Sequence, residues 1–211
     1  MSATCIIPAY NEEKTIGNVV KVVKGNKNVS EVIVVSDGST DKTAQVAKNN
    51  GARVIELTEN KGKGGAMNEG LKSCGADIIL FLDADLIGLT DTHVESLLSP
   101  VLRGDTLMTL GVFSQGRATT DLAQKVAPYL SGQRAIKREL LHKVSDLDVS
   151  RFGVELALTR FVENNKINLQ VVQLPDMSHV MKEEKLGVLK GFVARMKMYW
   201  EIVHYYIKNP S

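Results

Sequence analysis

The sequence of 211 residues predicts an α/β fold in which helices flank a mixed, mainly parallel sheet. Short apolar runs rich in valine and isoleucine recur along its first part, and segments with helical spacing of apolar residues separate them. Acidic or turn-forming residues follow several of these runs. Because ligands bind outside the carboxyl ends of strands in open α/β sheets, these polar residues are candidates for a functional site.

The first part of the chain shows the alternation of strand and helix most clearly. Val32 to Val35 form a continuous apolar run, which is typical of a buried strand, whereas Ile16, Val19 and Val23 recur at helical spacing. Strands are predicted at residues 4–8, 31–36, 53–57 and 77–82, and helices at residues 13–24, 43–50 and 63–74.

The second part has a looser pattern, without internal repeats or a linker. We therefore predict a single domain over residues 1–211. Helices are predicted at residues 92–102, 137–143, 152–164 and 187–208, strands at residues 106–113 and 169–174, and a mobile loop at residues 114–121.

Composition excludes several classes of protein. With 44% apolar residues, 24% charged residues and a net charge of +2, the chain is typical of a soluble globular protein, and no nucleic-acid partner is indicated. We expect no signal peptide and no membrane span, since no apolar run approaches about 20 residues. Cys5 and Cys74 lie among apolar or small residues, which predicts buried free thiols in a reducing cytoplasm.

Two carboxylates one residue apart, Asp83 and Asp85, follow the fourth predicted strand. Side chains at positions i and i+2 of a strand point to the same side, and crowded carboxylates repel unless a cation or proton lies between them. The pair therefore indicates a divalent metal and a phosphorylated substrate. A strand that ends in an acidic turn explains this spacing equally well.

Further polar residues follow the first and second strands. Pro8 cannot donate to a ladder, so we expect it to end the pairing. Tyr10 could stack on a base and Glu12 could accept from a ribose hydroxyl, although residues here could also form a helix entry with Asn11 as its cap. Asp37, at the end of the second strand, could accept an N–H from a pyrimidine.

Two other segments could serve the same site. The glycine-rich loop at residues 60–65 contains two lysines and precedes a helix, which suits an anion, although it is not a P-loop. His179 follows the last predicted strand and could complete a metal site with the aspartates, a donor set suited to Mn²⁺. A lone histidine is, however, more often structural.

In this order the motifs resemble those of a GT-A fold glycosyltransferase of the family 2 type, which has a Rossmann-like sheet. Residues 6–13, 34–41, 60–68 and 83–85 carry the resemblance. It implies a nucleotide-sugar donor, usually a UDP- or GDP-sugar, and a divalent cation, Mn²⁺ or Mg²⁺. Within the single domain, we assign residues 1–86 to the nucleotide and residues 87–211 to the acceptor. Matched to the family, the donor-binding residues are Pro8, Ala9, Tyr10, Glu12, Asp37, Lys63 and Asp83, and the metal ligand is Asp85.

The resemblance is less decisive in the second half. Gly132, Gln133 and Arg134 match the acceptor loop, and Glu155 matches an acidic residue near the sugar. His179 matches a metal-binding histidine of glucosyl-3-phosphoglycerate synthase, and polyprenyl-phosphate sugar transferases share the layout. The Glu-Asp pair typical of inverting members is absent, so the stereochemical outcome stays open.

The resulting hypothesis is a metal-dependent glycosyltransferase with a phosphorylated or lipid-linked acceptor. Asp85 and Glu155 are its candidate catalytic residues; Glu155 would be the base if the enzyme inverts and would position the sugar if it retains. Arg134, Lys137 and Arg138 could hold an acceptor phosphate, or the last two could lie on a solvated helix face. The alternative function is a nucleotide-sugar-binding module without catalysis.

The C-terminal segment at residues 187–208 mixes aromatic and basic residues at helical spacing. We favour a helix that closes the core. The alternatives are an interfacial membrane helix, which would place the protein at the inner face of the membrane, and a homodimer face.

Overall fold

The computed structural model describes residues 2–113, 131–141, 143, 158, 161–162 and 164–179. Its strands are β1 (Ala3–Ala9), β2 (Val29–Asp37), β3 (Arg53–Leu57), β4 (Ile78–Phe81), β5 (Leu86–Ile87), β6 (Met108–Phe113), β7 (Arg134–Lys137), β8 (Leu169–Leu174) and β9 (Ser178–His179). Its helices are α1 (Ile16–Gly25), α2 (Thr43–Asn49), α3 (Gly62–Lys72), α4 (Asp91–Arg103) and α5 (Arg138–Leu141).

The chain divides into two compact units, Met1–Met177 and Ser178–Ser211. The first unit contains a seven-stranded sheet in the order β3-β2-β1-β4-β7-β6-β8. Within the sheet, β1 pairs in parallel with β2 and β4, β2 with β3, and β6 with β8, whereas β7 is antiparallel to β4 and β6. The predicted mixed, mainly parallel sheet is confirmed.

The central strands are apolar on both faces because helices cover both sides of the sheet. Cys5 and Ile7 of β1 point into a core cluster that includes the buried residues of α1 and α4. Ile6, between them in sequence, points into the opposite cluster with Met67 of α3. All three β1 side chains are fully buried, which explains the continuous apolar run in the sequence.

Several predicted bounds differ from the structure. β3 and β8 have the predicted bounds, but α1 begins at Ile16 because residues 12–15 form a turn whose Glu12 carbonyl accepts from the Thr15 and Ile16 N–H groups. β7 was not predicted, and α5 is a single turn rather than a helix over residues 137–143. The apolar signal of β7 is only two residues, Ala135 and Ile136, which is too short to predict a strand.

Three predicted segments lie outside the described residues: the loop at 114–121, most of the helix at 152–164 and the C-terminal helix at 187–208. Within the described part of the chain, no helix is both long and apolar enough to cross a membrane. Cys5 and Cys74 are buried free thiols, as predicted, and burial raises the pKa of the Cys5 thiol.

Candidate active site

The site lies at the edge of the sheet where the parallel strands β1, β2 and β4 have their carboxyl ends. Pro8 lies inside the β1–β2 pairing, opposite Val35, so the expectation that it ends the pairing is wrong. Ile6 makes the last pair with β4, and its carbonyl accepts from Leu82. Backbone groups of alternate residues in a strand point toward the same neighbouring strand, so the nitrogen of Pro8, like that of Ile6, points toward β4. Pro8 lies beyond the last β1–β4 pair, so its missing N–H removes no hydrogen bond from the sheet.

The loops that follow β1 and β2 are joined by hydrogen bonds. The Asn11 N–H donates to Ser39 Oγ at 3.2 Å, and the Thr40 N–H donates to Asn11 Oδ1 at 2.9 Å. The Glu12 N–H donates to Thr43 Oγ1 at 2.7 Å. Asn11 therefore links two loops and does not cap α1. Tyr10, next to it, is 50% exposed, so its ring faces solvent at this edge.

Asp41 strengthens the same connection. One carboxylate oxygen accepts from the Thr43 N–H at 2.9 Å and from the Thr43 hydroxyl, and the other accepts from the Glu13 N–H at 3.2 Å. Burial raises the pKa of the Asp41 carboxyl, but the hydrogen bonds from Thr43 and Glu13 outweigh it and hold the pKa below its usual value. The ionised carboxylate therefore stabilises both loops more than the protonated carboxyl would.

Asp37 holds the glycine-rich loop against the end of β2. Its side chain is 3% exposed, and its Oδ1 accepts from the Lys61 N–H at 2.7 Å, while its carbonyl accepts from Asn60 Nδ2 at 3.1 Å. Gly38 has φ +68°, and a Cβ there would lie 2.8 Å from the Asn60 nitrogen. Only glycine fits both this backbone conformation and this approach.

Lys63, in the first turn of α3, forms an ion pair with Asp83 beyond the end of β4. Its Nζ lies 2.5 Å from Asp83 Oδ1, and the side chains are 27% and 17% exposed. The ammonium group and the helix N-terminus thus place positive charge at this edge, where an anion would be stabilised. The glycine-rich loop and the aspartate motif, about 20 residues apart in sequence, belong to one site.

Gln133 and Gly132, which we predicted to bind the acceptor, contact Asp83. The Asp83 N–H donates to Gln133 Oε1 at 3.1 Å, and Gln133 Nε2 donates to Asp83 Oδ2 at 3.0 Å. A Cβ on Gly132 would lie 2.5 Å from Lys63 Nζ. Sequence reasoning missed this arrangement because it depends on the unpredicted strand β7.

Of the other predicted phosphate-binding residues in this segment, Arg134 lies opposite Phe81 at the carboxyl end of β4, whereas Lys137 and Arg138 lie at the other end of the strand. Arg134 is fully buried and donates to the Ser131 carbonyl at 2.5 Å. Lys137 pairs with Ile78 at the amino end of β4, and Arg138 follows it. The structure therefore does not bring Lys137 and Arg138 to Asp83, which follows the opposite end of the strand.

Asp85 and His179 are the remaining candidates for metal binding. Asp85 lies in the turn that follows Asp83, and between them Ala84 is only 4% exposed. His179 is in β9, in the second unit. Asp83 and Asp85 belong to the first unit, so a metal site that His179 completes stays a prediction. Glu155 lies outside the described residues, so its role stays a prediction.

Comparison with known proteins identifies the family. The model of glycosyl transferase family 2 matches residues 4–158, which is most of the chain. The chain belongs to this family. A curated relative, the 4,4'-diaponeurosporenoate glycosyltransferase of Staphylococcus aureus (strain bovine RF122 / ET3-1), is 39% identical over 103 residues. That match covers 46% of this chain and 28% of the relative, so the chain spans less than a third of that relative's length.

Solved structures of glucosyl-3-phosphoglycerate synthase from Mycobacterium tuberculosis are similar over more of the chain. The complex with Mg²⁺ and UDP is 29% identical, with a TM-score of 0.73, and the match covers 85% of this chain and 71% of that one. The complex with Mn²⁺, UDP-glucose and phosphoglyceric acid is also 29% identical over the same shares, with a TM-score of 0.72. The GT-A fold predicted from the sequence is confirmed.

Proposed function

We propose that this family 2 protein is a metal-dependent glycosyltransferase that moves a sugar from a UDP-sugar to a phosphorylated acceptor. The observation that carries the proposal is the ion pair of Lys63 and Asp83, 2.5 Å apart, at the start of α3 and the end of β4. This pair brings a phosphate-binding type of helix start and a DxD-type motif to one place. The complexes of the similar synthase with UDP and UDP-glucose support the choice of donor.

The donor would lie across the loops at the carboxyl edge. Tyr10, half exposed, could stack on the base, and Glu12 and Asp37 could accept hydrogen bonds from the nucleoside. Lys63 and the N-terminus of α3 would face the diphosphate, and Asp83 the ribose or sugar. The hydrogen bonds that join these loops preorganise this surface before the donor binds.

The residues present fit a divalent cation, since carboxylates and an imidazole suit Mn²⁺ and carboxylates suit Mg²⁺. Asp85 and His179 would hold the ion. A bound cation supplies positive charge that stabilises the diphosphate leaving group. Lys63 would add to that stabilisation from the protein side.

For the acceptor, a small phosphorylated molecule is favoured because the similar synthase was solved with phosphoglyceric acid and UDP-glucose bound together. A polyprenyl phosphate carries a phosphate group on a lipid, so it is the second acceptor to be tested. Glu155 would deprotonate a hydroxyl acceptor if the reaction inverts, or position the sugar if it retains.

The test is release of UDP from a panel of UDP-sugars with Mn²⁺ or Mg²⁺, each offered with 3-phosphoglycerate or with polyprenyl phosphate in detergent. We expect one acceptor to stimulate release, and Asp85→Ala to lower kcat on the order of 10²–10³-fold. Asp77→Ala is the control, because this exposed aspartate precedes the other end of β4.

Two outcomes contradict the proposal. Turnover of Asp85→Ala at the wild-type rate removes the metal-binding role of Asp85. Calorimetric binding of UDP-sugars without release or transfer to any acceptor instead supports the non-catalytic binding module.

A further inference from the structure

We propose that Gln133 is a positioning residue for the donor. Its carboxamide fixes the Asp83 carboxylate, and through it the Lys63 ammonium, at the carboxyl end of β4. The inference rests on the proposed function and deepens it, since it moves Gln133 from the acceptor side of the reaction to the donor side.

The first step of the argument is the geometry of the two hydrogen bonds. Oε1 of Gln133 accepts from the Asp83 backbone at 3.1 Å, and Nε2 donates to Asp83 Oδ2 at 3.0 Å. One planar group therefore holds both the backbone and the side chain of the aspartate. A glutamine amide is suited to this task because it offers an acceptor and a donor side by side.

The second step is the rigidity of Gln133 itself. The residue is fully buried, so its side chain has little freedom to turn away. Its N–H donates to Ser131 Oγ at 3.2 Å, and its carbonyl accepts from the Gly111 N–H of β6 at 2.8 Å. The sheet therefore determines where the carboxamide lies, which is what a positioning residue requires.

The third step is the sharing of the Asp83 carboxylate. Lys63 contacts Oδ1 and Gln133 contacts Oδ2, so a protein donor faces each oxygen. The Gln133 donor is neutral, so it adds no charge to the ion pair. A carboxylate in its place would repel Asp83 and add negative charge beside a bound diphosphate.

Gly132 gives independent support, because the backbone next to Gln133 lies directly against the ion pair. A Cβ at this position would lie 2.5 Å from Lys63 Nζ and 2.6 Å from both carboxylate oxygens of Asp83. A side chain here would therefore displace the ion pair. Gly132 and Gln133 therefore both pack against Asp83.

The test is Gln133→Glu, which keeps the shape of the side chain and the acceptor for the Asp83 N–H but replaces the donor to Oδ2. We expect the Kd for UDP in the presence of Mn²⁺, measured by calorimetry, to rise at least tenfold. The donor KM should rise while the acceptor KM stays near the wild-type value. Gln170→Glu makes the same chemical change at an exposed position of β8 and should leave both unchanged.

The decisive measurement combines the neutral change Gln133→Met with Asp83→Ala, because a carboxylate at position 133 would itself repel a bound diphosphate. If Gln133 acts through Asp83, Gln133→Met lowers UDP affinity alone but adds no further loss to Asp83→Ala, whereas independent losses that multiply would overturn the proposal. Gly132→Ala is the second variant, and it should weaken UDP binding in the same way even if Gln133→Glu does not fold.

The remaining outcomes separate the two proposals. Normal UDP affinity in both Gln133→Glu and Gly132→Ala, or a rise in the acceptor KM alone, overturns the positioning role. A wild-type protein that binds neither UDP nor a UDP-sugar contradicts the proposed function itself.

Discussion

A cationic side chain lies near each end of β4, and the two differ in the groups that they contact. At the carboxyl end, the Lys63 ammonium contacts the Asp83 side chain at 2.5 Å. At the amino end, the Arg138 guanidinium donates to the Ala76 and Cys74 carbonyls, both at 2.6 Å. β4 has four residues, which separates the two ends by roughly 13 Å.

The difference lies in what each cation contacts. Backbone carbonyls are fixed by the course of the chain. The contacts of Arg138 therefore hold α5 against the segment that precedes β4 and stabilise the structure. The carboxylate of Asp83 is a side chain at the edge where ligands bind, so its partner Lys63 can also contact a bound anion. We therefore expect the cation at the amino end to serve stability and the cation at the carboxyl end to serve donor binding.

The prediction with the largest effect tests the cation at the carboxyl end of β4. Lys63→Met removes the ammonium group, and we expect the affinity for UDP with Mn²⁺ to fall about tenfold to a hundredfold, because a hydrogen bond to a charged group is lost. Calorimetry measures the change. Lys72→Met, at the exposed far end of α3, is the matched control. An unchanged Kd in Lys63→Met would show that this lysine has no role in donor binding.

The second prediction concerns the amino end. Arg138→Met leaves the Ala76 and Cys74 carbonyls without their donor, so the free energy of unfolding should fall by about 1–3 kcal/mol, measured by urea denaturation. The UDP affinity of the folded protein should not change. Arg103→Met, which alters an exposed ion pair, should change stability by less than about 1 kcal/mol. Weaker UDP binding in Arg138→Met would contradict the distinction between the two ends.

The prediction with the smallest effect concerns the pH dependence of stability at Asp41, in the loops at the carboxyl end of the parallel strands. The pKa of Asp41 is lowered in the folded protein, so its stabilisation is present above the unfolded pKa of about 3.9 and is lost as pH falls through the folded value. We expect Asp41→Asn to lower the melting temperature at neutral pH and to make its decline below about pH 4 shallower. Glu59→Gln, an exposed control, should follow the wild-type curve. Parallel curves for wild type and Asp41→Asn would show that the hydrogen bonds of Asp41 do not stabilise the loops.

Local sequence predicted the fold of residues 1–86 well. The apolar runs of β1, β2 and β4 are buried on both faces of the sheet, so their length is visible without the structure. Asp37 and Asp83 follow strands that run in the same direction, and this is why their convergence at one edge could be predicted. The start of α1 could not be predicted, because the Glu12 turn and the Asn11 contacts depend on a loop about 30 residues away.

The arrangement around Asp83 shows the limit of sequence reasoning. Gln133 is 50 residues from Asp83 in sequence, and the two meet only because β7 inserts antiparallel between β4 and β6. A segment of four residues with only two apolar side chains is too short a pattern to predict such a strand. The sequence marked residues 132–134 as part of a site, but it did not predict that Gln133 contacts Asp83.

What the sequence determined by itself was the family, the mainly parallel α/β sheet and the order of the polar motifs after its strands, because each depends on short-range pattern and spacing. Tertiary structure alone decided the strand order, the contact of Gln133 and Gly132 with Asp83, and the separation of Arg138 from that site. These features depend on the pairing and register of β7, which brings together residues that no local pattern connects.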